Sequence, residues 1–186
     1  MNRLIETPLS PPTYRSLTKA LGLTDEAICR GLNESGLLGA DENGNRQEVT
    51  LKMVKHWRAP ERHQKPRRPF HAVSIYLQQW LDTVFNHEEA LIERYDAQYE
   101  QTGEPVTIYI PRRDTGITEN GALSKEWEPY IGFIPVAHAL GARVHLRLLS
   151  MGIPSRIDFI ENLVYRQSVG GDEPQWRDDE VYTIGL

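Results

Sequence analysis

Arg30 and Asn33 lie three residues apart in a stretch with helical periodicity, so a helix would present them close together on one face. Arginine pairs bidentately with guanine edges and asparagine with adenine edges, so the pair is suited to the major groove of a duplex. The same helix is expected to show Thr24, Asp25 and Glu34 outward. Asn45 and Arg46 follow a turn-forming Asn43-Gly44 pair and are placed to touch phosphate or a minor groove. Seven cations come next within 17 residues, Lys52, Lys55, Arg58, Arg62, Lys65, Arg67 and Arg68, against one acid, Glu61. Phosphate neutralisation is the main sequence-independent source of affinity for a duplex, and this run would supply it. The competing reading makes the run a solvated linker and the helices a plain packing module.

Other chemistries lack residues to carry them. Six histidines are present, but there is no HExxH and no close pair with a carboxylate at ligand spacing. His138 and His145 flank an expected helix–strand junction and are read as ordinary core or surface histidines. The lone Cys29 excludes an internal disulfide and a thiolate zinc site, and is read as a small buried hydrophobe. No GxSxG elbow, GxxxxGK loop or GxGxxG is found. The expectation is a protein without catalytic residues, metal or cofactor. Arg112 and Arg113 after a strand end are read as a charged loop, and Trp80, Tyr95 and Tyr99 as core or dimer contacts.

The elements that position the cations can be read from spacing. Pro8, Pro11 and Pro12 are taken to delay the first helix until Thr13, which would cap it; Leu17, Ala20 and Leu21 form its apolar face and Gly22 stops it. Thr24 caps a second helix with Ala27, Ile28 and Leu32 inward, ending at Gly36. Helix, glycine turn, helix is the helix-turn-helix pattern. A hairpin at Asn43-Gly44 would form a wing, and Leu51, Val54 and Trp57 suggest a third short helix. Residues 58–69 hold three prolines and five cations, a linker composition. A long helix over 70–102 follows, stopped by Gly103, then a strand over 106–110 and a polar loop over 111–125. A short helix over 136–140 is expected to close at Gly141, with an alternating strand over 143–148. Residues 155–169 fit a helix or strands equally, and 181–184 read as a last strand after the acids Asp172, Glu173, Asp178, Asp179 and Glu180.

The fold class is therefore α+β: a winged helix-turn-helix DNA-binding domain over 1–57, a basic Pro-rich linker over 58–69, and over 70–186 a long helix with a small mixed β-sheet. The formal net charge of -5 conceals a split: residues 1–69 carry 12 cations and 8 acids, residues 70–186 carry 9 and 18. The basic half suits a polyanion and the acidic half a different partner. The longest uncharged run, 129–142, has 14 residues and is broken by Pro135, too short to span a bilayer, and the first residues have no signal-peptide core. A soluble, cytoplasmic protein is expected. Val73, Leu77, Trp80, Val84 and Leu91 repeat at four, three, four and seven, close to a heptad seam, with His87 at its polar position. That stripe would either form a homodimer interface or pack inward on the strands.

Residues 13–57, with LTKALGLTDEAICRGLNESGLL, resemble the winged helix-turn-helix of phage and plasmid regulators and antirepressors. The stretch from WLDTVFNHEEALIERYDAQYEQTGEPVTIYI to WEPYIGFIPVAHALGARVHL is similar in layout to the dimerising part of anti-CRISPR-associated regulators: a helix, Gly103-Glu104-Pro105 before a strand, a Trp/Tyr-bearing segment and a short helix. The resemblance implies a dimeric transcriptional repressor of a phage or plasmid, bound to double-stranded DNA. The alternative is an inhibitor or anti-defence factor that binds a host protein through its acidic half.

Overall fold

A computed structural model describes residues 9–40, 44–45, 47–58, 71–118, 125–162 and 164. Helix α1 spans Pro11–Ala20, α2 Asp25–Glu34 and α3 Leu51–Arg58. The long helix α4, His71–Thr102, is about 48 Å long at 1.5 Å per residue. Strand β1, Val106–Ile110, leads through α5 (Asp114–Thr118), a 3-10 helix (Lys125–Tyr130) and α6 (Ile134–Ser150) to strand β2, Ser155–Phe159.

β1 and β2 pair in parallel, with Val106 opposite Ser155 and Ile110 opposite Phe159. Parallel neighbours need a crossover, and α6 supplies it. The sheet among the described residues is thus two-stranded and parallel, in place of the expected mixed sheet. The α+β class stands in this helix-dominated form.

Four local expectations are corrected. Helix α1 begins at Pro11, because Ser10 caps it, accepting from the Thr13 amide at 3.3 Å, and prolines are tolerated in a first turn whose N–H groups have no helical partner. Residues 114–118 of the expected loop are helical. Residues 143–148 belong to α6: Leu140, Val144 and Leu148 are buried at helical spacing, while Leu146 is 65% exposed. Gly141 does not end the helix; it brings α6 against β1, where an added Cβ would meet Ile110 Cγ2 at 2.7 Å. Residues 155–159, left open by periodicity, form β2. The strand expected over 181–184, and the acids at 172–180, lie outside the described residues.

Val73, Leu77, Trp80, Val84 and Leu91, the expected dimer seam, are all buried in the chain's own core. Trp80 meets Phe133 at 4.8 Å and Tyr130 at 6.0 Å between ring centroids. The stripe packs inward because the 3-10 helix and α6 cover it, so it is not a free surface. Among the described residues no helix is long and apolar enough to cross a membrane.

Candidate nucleic-acid interface

The three N-terminal helices form a tied unit. Thr24 caps α2, its hydroxyl accepting from the Ala27 amide at 3.1 Å. Tyr14 of α1 meets the edge of Trp57 of α3 at 5.9 Å. Burial holds the Tyr14 hydroxyl far above the ordinary tyrosine range, opposed in part by the nearby Arg58 guanidinium. Arg58 pairs with Asp25 at 2.6 Å and donates to the Leu23 carbonyl at 2.9 Å, while its own carbonyl accepts from Arg15 at 3.1 Å. One arginine therefore fastens α3 to α1 and to the turn before α2. It is a structural tie, with its charge already met, and is withdrawn from the set of phosphate contacts.

Asn33 is likewise spent. Its Nδ2 donates to the Val49 carbonyl and its Oδ1 accepts from the Val49 amide, both at 2.8 Å. Base readout needs both amide atoms, so the adenine-reading role assigned to Asn33 is corrected to a clasp holding the segment before α3. Cys29 donates to the same carbonyl at 3.1 Å, and burial, with Glu26 nearby, raises its pKa. Cys29 is half-buried against the core, not the buried residue expected.

Arg30 is exposed, but it points at the second half of the chain. Its guanidinium bonds the Gly132 carbonyl and lies 5.1 Å over the Phe133 ring, and the Gly132 amide donates to Asp114 at 2.6 Å. Two close approaches seat the same unit. A Cβ on Gly22 would stand 2.4 Å from the Pro135 carbonyl oxygen, and one on Gly31 would stand 2.0 Å from the Tyr76 hydroxyl. Helix α2 is thus docked on α4 and beside the start of α6, with Arg30 engaged there and Glu26 and Glu34 exposed.

The expected wing hairpin gives no strand among the described residues. Gly44 has φ +79, and Gln47 donates to the Gly39 carbonyl at 3.0 Å, closing the loop. Asn45 is exposed, and Arg46 lies outside the described residues.

Helix α3 carries the remaining cations. Lys52, Lys55 and His56 are exposed at spacings of three and one, opposite buried Val54 and Trp57, and α3 contains no acid. Arg62, Lys65, Arg67 and Arg68, which continue the run in sequence, lie outside the described residues. His56 was missed from sequence; its place beside Lys52 and Lys55 was readable once the helix was registered on Val54 and Trp57. Gly31, Gly132 and Phe133, which dock α2, carried no local signal.

Three described histidines are held by packing contacts. His138 bonds the Pro111 carbonyl at 2.9 Å and His145 the Ser155 hydroxyl at 2.8 Å, so both brace α6 against the sheet. His87 bonds the Tyr130 hydroxyl at 3.0 Å beside Trp127, and burial lowers its pKa. Among the described residues no group of three His, Cys, Asp or Glu could hold a metal ion. Comparison of the chain with protein-family models, curated proteins and solved structures returns no match.

Proposed function

We propose that the chain is a duplex-DNA-binding regulator whose contact face is built on α3 and continued by the basic run after it. The observation that carries this reading is the outward, acid-free side of α3 with Lys52, Lys55 and His56, on a helix–glycine turn–helix unit. The resemblance of residues 13–57 to phage and plasmid regulators supports a role in transcription. Arg58 is engaged internally, which leaves Lys52, Lys55, Arg62, Lys65, Arg67 and Arg68 for phosphate. If four to six phosphates are neutralised, log affinity falls against log salt with a slope of about -4 to -5. Fluorescence anisotropy with a labelled duplex, between low and physiological salt, measures that slope; affinity indifferent to salt contradicts the proposal.

One observation favours a second reading. Glu89, Glu93, Asp96 and Glu100 follow spacings of four, three and four, so they share one outward stripe on α4. Such a stripe suits a basic protein partner, and a pull-down whose bait binding is lost on neutralising these four acids would support it over the DNA reading.

A further inference from the structure

We propose that the chain self-associates through the outer face of α6, two copies meeting antiparallel across a stripe centred on Leu146. Pro135, Ala139, Ala142, Leu146 and Leu149 follow spacings of four, three, four and three, the a/d pattern of a helix-packing seam, and no charged residue interrupts them. The first half of this stripe is already used within the chain. The turn at Gly22 sits on the Pro135 carbonyl, and a Cβ there would stand 3.0 Å from Ala139 Cβ. The second half has the same spacing and, among the described residues, no cover. Leu146 is 65% exposed and Leu149 48%, with Met151 at the end of the helix and Ile157 on the adjoining strand also exposed. Four of the seven large exposed hydrophobics among the described residues thus gather at this one end, where single scattered ones would need no explanation.

Charge identifies the occupant as a second copy. Residues 70–186 carry twice as many acids as cations, so two copies repel over most of this half. Helix α6 contains no acid and two arginines. Arg143 pairs with Glu88 of α4, whereas Arg147, one turn on along the same flank, makes no ion pair among the described residues. An antiparallel twofold keeps each copy's α4 on the same flank of the seam. Arg147 of one copy therefore comes to the side where its partner's α4 exposes Glu89 and Glu93. Apolar residues meet at the centre and opposite charges at the edge, and the same patch serves both copies, as a closed twofold contact requires. The expected α4 seam is buried, so it does not compete for this role.

The test uses the full chain without nucleic acid, so its outcome is independent of the DNA reading. Light scattering at about 50 μM, well above a micromolar Kd, is expected to give twice the chain mass of 21.3 kDa. Leu146→Glu is expected to give the single-chain mass while keeping a cooperative thermal transition. A second variant guards against misfolding: Leu146→Cys in a Cys29→Ser background places two thiols at the twofold and is expected to form a disulfide-linked dimer on mild oxidation. A wild-type chain of single mass at that concentration overturns the proposal. So does a dimer that survives Leu146→Glu, or a dimer of the Leu146→Cys variant that fails to cross-link.

Discussion

Asn33 and Val49 exchange two hydrogen bonds of 2.8 Å, side-chain amide to backbone, in both directions. The pair pins the segment leading into α3 onto α2, and so fixes the helix that bears Lys52 and Lys55. Truncation leaves a buried Val49 amide and carbonyl without these partners. Asn33→Ala is expected to lower stability by about 1–3 kcal/mol, read by urea denaturation. A variant as stable as wild type would return Asn33 to the surface role its type suggests.

Gly31 and Tyr76 set how closely α2 approaches α4. Replacing a helical glycine by alanine ordinarily stabilises, by up to about 1 kcal/mol. Here the new Cβ would stand 2.0 Å from the Tyr76 hydroxyl, so Gly31→Ala is expected to destabilise by about 1–3 kcal/mol, as overpacking does. Adding Tyr76→Phe removes the nearest atom and should recover part of the loss. Gly22→Ala is expected to be at least as damaging, since φ +69 disfavours a side chain and the Pro135 carbonyl oxygen lies 2.4 Å away. Thermal melts of these variants measure both effects. A stabilised Gly31→Ala would show that α2 does not rest on α4.

His87 couples stability to pH. Burial lowers its pKa, Glu126 opposes that shift and Arg94 adds to it. A histidine held neutral in the fold stabilises fully above its unfolded value of about 6.5, and that contribution is lost as pH falls through the folded value. The melting temperature should therefore drop between pH 7 and pH 5, and His87→Gln should flatten this dependence. An equal slope in both proteins would assign the acid sensitivity to other groups.

Elements whose pattern is local were legible in the sequence. Thr24 with its two following acids marks the start of α2, the uninterrupted apolar spacing marks α4, and the β-branched run marks β1. Errors arose where a residue answers to tertiary packing. Gly141 looks like a helix stop but is a contact with Ile110, and the alternation at 143–148 splits on the helix, with Val144 and Leu148 buried and Leu146 exposed. The same limit applied to the interface. Arg30 and Asn33 have the residue types of base readers, but Gly132, Phe133 and Val49, which engage them, lie 16 to 103 positions away. Lys52 and Lys55 were legible as exposed cations because nothing distant claims them among the described residues.

The division of labour between α3 and α2 is the central claim, and duplex binding by paired variants measures it. Anisotropy titrations across salt concentrations should show Lys52→Ala/Lys55→Ala weakening all duplex sequences alike and reducing the salt slope by about 2. Arg30→Ala, whose guanidinium is engaged by Gly132 and Phe133, should leave the slope unchanged. A lysine double variant that binds as wild type, or a full chain with no salt-dependent affinity for duplex DNA, would contradict the account.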